Sequence, residues 1–187
     1  MNPYKIIEKY LGDNKKLHDL YLKHVEHVKE KALEIAQSLK EKNPNLDLKF
    51  IEEACILHDI GIFKTDAPSL YCYGHEPYLA HGYLGREILE SEGLPKHALV
   101  CERHTGSGLS KEEIRNKSLP LPNRDLMPIT LEEKIICFAD NFYSKDPDKL
   151  DEEISFDEIK NKQKKHGEQE EAKLVSLAKE LGYFSGI

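Results

Sequence analysis

The chain has 187 residues, a length that suits one domain with a sizeable core. Hydrophobic residues make up 39% and charged residues 33%, and the formal net charge is -7; this balance excludes a basic binder of nucleic-acid backbones and fits long solvated helix faces. The one basic cluster, Lys162–Lys165, reads as a solvated helix face. No apolar run is long enough to span a bilayer, and Met1-Asn2-Pro3-Tyr4-Lys5 lacks the apolar core of a signal peptide. Cys55, Cys72, Cys101 and Cys137 are far apart with no Cys-x-x-Cys pair, so buried free thiols in a reducing cytoplasm are expected.

In chain order, a short helix is predicted over Tyr4–Leu11, ended by Gly12. From Asp13, read as an N-cap, a long amphipathic helix runs to about Lys42, where Asn43-Pro44 stops it. Its apolar stripe is Leu17, Leu20/Tyr21, Val28, Ala32, Ile35 and Leu39; His24 falls on the stripe, His27 on an adjoining face and His18 off it. Asp47 caps the next helix, whose buried face is Leu48, Ile51, Ala54/Cys55 and His58. Gly61 releases the chain into a loop, Ile62–Gly74. Pro77 opens a helix with Tyr78, His81, Gly85 and Ile88/Leu89 on one face, and Pro95 opens another with His97, Val100/Cys101 and His104. Ser110 with Glu113 and Thr130 with Glu133 form capping boxes on either side of an irregular, proline-rich connection. The second box starts a helix over Leu131–Ser144 that buries Ile135, Ile136, Ala139 and Asp140 before Asp146-Pro147 breaks it. Ser155 and Glu158 cap a last helix, charged around Lys160–Glu171 and apolar again at Leu174, Leu177 and Leu181. No period-2 strand pattern or internal repeat appears. The prediction is an all-α helical bundle forming one domain over 1–187, with its core at about 21–143 and a C-terminal helical extension at about 155–182.

The stretch Cys55-Ile56-Leu57-His58-Asp59-Ile60-Gly61 buries an adjacent histidine and aspartate along with its apolar residues. An unpaired buried carboxylate is costly and calls for a cation or a dense hydrogen-bond shell. Other helices place His24, His81, His104 and Asp140 on apolar faces. A single histidine on such a face is usually a hydrogen-bonded core residue, and Asp140 alone could be a turn or cap residue; the coincidence of several such residues is what points to metal. Imidazole with carboxylate suits Fe, Mn, Zn, Co or Ni. His58 and Asp59, about 100° apart around a helix, can approach a centre from different directions. So many ligands are natural for a site holding two divalent transition-metal ions that share a bridging carboxylate and leave room for a water-derived nucleophile.

The ordered set His24…His58-Asp59…His81…His104…Asp140 resembles the HD-domain superfamily of metal-dependent phosphohydrolases. His24 is followed by Val28, Ala32, Ile35 and Ala36 at that family's spacing; His58-Asp59-Ile60-Gly61 resembles its HDIG signature, and Ala139-Asp140 its closing Ala-Asp. The runs Glu102–Gly108 and Arg124–Lys134 are similar to a subgroup of small HDIG-type hydrolases of archaea and bacteria. The ligand set also resembles that of the symmetrical dinucleoside tetraphosphate hydrolases, which carry a lysine directly after the HD pair; here Gly61-Ile62-Phe63 intervene before Lys64. The resemblance implies His24, His58 and Asp140 on one metal, His81 and His104 on the other, and Asp59 bridging them as the catalytic carboxylate. Lys64 and Arg86 are the expected phosphate contacts, and Arg103 is expected in a structural pairing. The implied activity is hydrolysis of a phosphate ester or anhydride, with a small phosphorylated substrate, a nucleotide in particular, and neither a nucleic-acid duplex nor a membrane as partner; a homo-oligomer stays open. Two other readings compete: a mixed-valence di-iron oxygenase on the same fold, and a nucleotide-sensing module with a vestigial site.

Overall fold

A computed structural model of the chain describes residues 1–183. The first helix, α1 (Pro3–Leu11), has Pro3 in its first turn and the Asn2 side chain accepting from the Tyr4 amide. The long helix α2 (Lys15–Leu39) is capped by Asn14 rather than Asp13. Asn14 does two jobs that favour it: its Oδ1 accepts from the Leu17 amide at 3.2 Å, and its Nδ2 donates to the Tyr71 carbonyl at 2.8 Å. Asp47 caps α3 (Leu48–Leu57) through the Phe50 amide, as its position predicts.

The following segment is more ordered than a loop. A 3-10 turn over Ile60–Lys64 leads into a two-residue antiparallel ladder, β1 (Asp66–Ala67) with β2 (Cys72–Tyr73), in the register Asp66↔Tyr73 and Ala67↔Cys72. Strands this short carry no readable alternation. Beyond Pro77 a 3-10 turn, Tyr78–Ala80, precedes α4 (His81–Ser91). Then come α5 (Pro95–Arg103), α6 (Lys111–Asn116), α7 (Leu131–Asp140), α8 (Phe156–His166) and α9 (Glu168–Glu180).

Three expectations need correction here. The helix α7 ends at Asp140 rather than Ser144, because the chain turns away directly after the buried carboxylate. Thr130 caps it, but Glu133 does not close the box: its carboxylate accepts instead from Arg103 Nη1 at 3.0 Å and from the Ile129 amide at 2.7 Å. The single last helix is two, parted by Gly167 at φ 141°, a conformation that side-chain-bearing residues avoid. The Ser110–Glu113 and Ser155–Glu158 boxes both form in full.

Two apolar clusters fill the interior. One joins Val28, Ala32 and Ala36 of α2 to Ile51 of α3, Ile135 and Phe138 of α7, and Leu174 and Leu177 of α9. The other joins Ile7, Leu17, Tyr21 and Val25 to Ile56, Leu57, Ile60 and Leu89. The seam between them crosses α2 between Val25 and Val28, just after His24, and crosses α3 between Cys55 and Ile56, two residues before His58. All four cysteines are free and buried. Among the described residues no helix is long and apolar enough to cross a membrane.

Candidate metal centre

The sequence ends α3 with an apolar run, so His58 caps that helix in helical geometry and Asp59 follows at φ -106°, ψ 8°, in the sparsely populated bridge region. Both are fully buried. The turn behind them packs on α4 through two glycines: a Cβ on Gly61 would stand 2.2 Å from the His81 carbonyl oxygen and 2.4 Å from the Gly85 nitrogen. Only hydrogen at Gly61 lets Asp59 and His81 come this close.

The structure brings together all six residues singled out as ligands: His24, His58, Asp59 and Asp140 form one group, and Asp59, His81 and His104 the other. The Asp59 carboxylate divides between them. Its Oδ1 lies 3.2 Å from the Nε2 atoms of both His81 and His104, and its Oδ2 lies 3.3 Å from His58 Nε2 and 3.4 Å from His24 Nε2. Asp140 Oδ1 lies 3.0 Å from His24 Nε2 and 3.3 Å from His58 Nε2.

The imidazoles are oriented from behind. The Nδ1 atoms of His58, His81 and His104 each meet the carbonyl three residues earlier, at Cys55, Tyr78 and Cys101, at 2.6, 2.7 and 2.7 Å. A carbonyl only accepts, so each Nδ1 carries the proton and each Nε2 turns a lone pair toward the centre. His81 Nε2 and His104 Nε2 stand 3.0 Å apart, two lone pairs facing each other. Neither oxygen of Asp59 has a hydrogen bond of good geometry, and His24 Nδ1 is also buried without one. Imidazole nitrogens turned inward and carboxylate oxygens without a well-aligned hydrogen bond fit, at these spacings, divalent metal ions, whose positive charge relieves the lone-pair repulsion and ligates the carboxylate.

Charge in the centre agrees with that fit. Burial works against ionised Asp59 and Asp140, yet Lys145 and the histidines around them hold both carboxyls well below the usual range. Burial also opposes a charged His58, but Asp59 and Asp140 overcome it and push its pKa up to about 10. His81 goes the other way, to about 4, because burial prevails there over the pull of Asp59. A divalent ion therefore competes with a proton at His58 and meets a neutral imidazole at His81.

The nearest cation is one the sequence reading did not single out. Lys145 Nζ lies 2.7 Å from Asp59 Oδ2 and 3.5 Å from Asp140 Oδ1, with its side chain only 12% exposed. No periodicity marks it, because α7 has ended and Lys145 returns to the centre by way of an irregular turn. The expected phosphate contacts are elsewhere: neither Lys64 nor Arg86 lines the cleft that opens on the centre. Arg86 is committed to Glu90, at 2.8 Å, and to buried Glu102. Arg103 makes the structural pairing expected of it, to Glu133 at 3.0 Å. His27 faces Asp151 at 3.3 Å and stacks on Tyr143; His97 packs edge-on against Phe50; His75 is exposed.

The cleft has a volume of about 910 Å³ and runs from His81, His104 and Asp140 out to residues of α8 and α9. That is the size of a site for a nucleotide-sized molecule.

Known proteins place this arrangement. An uncharacterized protein of Methanocaldococcus jannaschii is 41% identical over 121 residues, covering 63% of this chain and 64% of the relative. Two proteins named tRNA (cytidine(56)-2'-O)-methyltransferase, from Picrophilus torridus and Thermoplasma volcanium, are 33% and 32% identical over 129 residues, covering 68% of this chain and 33% of each of them. The chain thus spans 64% of the first relative's length and 33% of the other two. No solved structure matches. The family model for the HD domain matches residues 21–145, from the helix that bears His24 to the lysine beside Asp140, and the chain belongs to the HD-domain family.

Proposed function

We propose that this chain is a metal-dependent phosphohydrolase with a two-metal centre, cleaving a phosphate ester or anhydride of a nucleotide-like substrate. The observation that carries the reading is the divided Asp59 carboxylate, one oxygen against His81 and His104 and the other against His24 and His58. His24, His58 and Asp140 would hold one ion, His81 and His104 the other, and Asp59 both. When bound, such a pair activates water as a nucleophile and offsets charge on the attacked phosphoryl group.

The chain's own groups do the rest. The three carbonyl-clamped imidazoles hold a proton on Nδ1 and turn Nε2 toward the centre, where a metal would displace any proton from His58. Lys145, whose ammonium burial disfavours but whose neighbours Asp140 and Asp59 keep charged, is the cation placed to take a phosphate oxygen. It replaces Lys64 and Arg86 in that role. Leu79, Leu109 and Tyr143 give the cleft the apolar walls that exclude water and accept an organic leaving group. The name carried by two of the relatives, an RNA-modifying enzyme, favours a nucleotide-type phosphate over a sugar phosphate.

The test has two parts. Protein purified without chelator is analysed for metal, with about two transition-metal ions per chain expected; one or none sinks the two-metal reading. Phosphate release is then screened over nucleotides, dinucleoside polyphosphates and cyclic dinucleotides with Mn, Fe, Co and Ni. Silence in that screen together with oxygen uptake on an organic substrate would assign the centre to an oxygenase instead.

A further inference from the structure

The match to the family stops at residue 145, yet the cleft does not. Its outer wall is supplied by α8 and the start of α9, through Lys162, Gln163, His166 and Glu170. This wall is fixed to the metal centre by a short polar chain. Gln163 Nε2 donates to Asn141 Oδ1 at 3.0 Å, and Asn141, the residue after Asp140, donates in turn to the Gly106 carbonyl at 2.7 Å. On the same helix Lys162 and His166 are four residues apart, hence on one face, and both line the cleft.

Among the described residues, the carboxylates on this wall have partners, and two of its basic side chains do not. Glu170 is already matched by Lys117 at 2.7 Å and Lys173 at 2.6 Å. Asp146, at the rim, accepts from the Asp148 amide at 3.1 Å to cap its own turn. Lys162 and His166 have no partner among the described residues. One more polar group on the cleft is unsatisfied: Ser107 is 5% exposed, its Oγ has no hydrogen bond, and it follows Gly106, whose Cβ position faces Gln163 Nε2 at 3.9 Å. An unpaired lysine, an unpaired histidine and a buried orphan hydroxyl on one cleft suit the same kind of ligand.

We infer that the cleft takes a substrate with two anionic groups, one phosphoryl group at the metal centre and a second phosphate or carboxylate held by Lys162, His166 and Ser107. The inference rests on the phosphohydrolase reading and deepens it: the helices beyond the family's core select substrates by their far end. The Lys162–Lys165 run is then more than a solvated face, because Lys162 lines the cleft while Lys164 pairs with Glu171 at 3.8 Å.

The experiment is titration calorimetry on the manganese-loaded full chain with non-hydrolysable probes, n-alkylphosphonates and α,ω-alkane bisphosphonates of graded length. One bisphosphonate length should bind about tenfold tighter than the matching monophosphonate, the increment of one charge-assisted contact. The double variant Lys162→Ala/His166→Ala, both at exposed positions, should lose that advantage while binding monophosphonates within about twofold of the parent. Monophosphonate binding without any bisphosphonate advantage, or an advantage that survives the double substitution, would overturn the second-anion site and leave the hydrolase reading intact. If neither probe binds, both fall.

Discussion

Lys145→Met tests the charge balance of the centre most directly. In chelated protein, the Lys145 ammonium faces Asp59 and Asp140, at 2.7 and 3.5 Å, with 12% of its side chain exposed, alongside His58. Removing one partner of a buried pair costs about 3–5 kcal/mol, and partial access to water puts this case near 3. At this chain length that is a fall in melting temperature of roughly 6–12 °C. With divalent metal added, the carboxylates have another counter-charge, and the same substitution should cost about 1 kcal/mol or less, the value of a pair no longer needed for neutrality. The assay is calorimetric melting of parent and variant at pH 8, where the carboxylates cannot compensate by taking up protons, after chelation and again after manganese addition. In the loaded form kcat/KM for a phosphate ester should fall roughly 10- to 100-fold, through loss of one contact to a charged oxygen. Equal losses of stability with and without metal would refute the reasoning, since Lys145 would then be an ordinary part of the fold.

Asp59→Ala should abolish turnover and bring bound metal, counted by plasma emission, well below the parent's content; retention of both ions would remove the bridge from the scheme. Arg86→Leu should lower stability by about 1–2 kcal/mol, because Glu102 keeps Arg124 Nε at 2.9 Å, and should leave KM within about twofold; a raised KM with an unchanged melting point would return Arg86 to substrate binding. Gly61→Ala forces a Cβ to within 2.2 Å of the His81 carbonyl oxygen and should destabilise by about 3 kcal/mol, and a variant that melts with the parent would contradict the close approach. Glu113 is lowered from 4.5 to about 2, since hydrogen bonding with Glu170, Lys173 and Ser110 outweighs burial. Its folded pKa lies below its unfolded one, so its contribution is present above pH 4.5 and is lost as pH falls toward 2. Glu113→Gln should therefore lower stability at pH 7, by less than about 1 kcal/mol at this partly exposed position, with the gap to the parent closing through that window in acid melts; a gap that persists at low pH would point to packing instead.

What could be read from the sequence and what could not follows from where each residue stands in the fold. The helices are legible because a buried face repeats at helical spacing, and the candidate metal centre is legible for the same reason. His24 continues the stripe of α2, and Asp140 sits beside Ala139 on the buried side of α7. A polar side chain on an apolar stripe announces itself. Lys145 breaks no pattern, since it lies past the end of α7 in a turn whose path is set by tertiary contacts. Reading α7 on to Ser144 hid it further, for in a continued helix Lys145 would have pointed away from Asp140. Arg86 misled in the opposite sense: its nearness in sequence to His81 suggested phosphate, whereas Glu102, buried one helix away, claimed its guanidinium. The outer wall of the cleft was least visible. Lys162 and His166 are ordinary members of a charged helix until Gly167 folds α9 back and Gln163 finds Asn141, which turns one face of α8 toward the metal centre. The candidate ligands thus belong to the periodic part of the chain or directly adjoin it, while the groups that would meet the substrate lie on turns and on the far helix. The binding contacts of the cleft can therefore vary among relatives without disturbing the centre, and substrate preference should follow residues 145–170 more closely than the histidines and aspartates of the matched region.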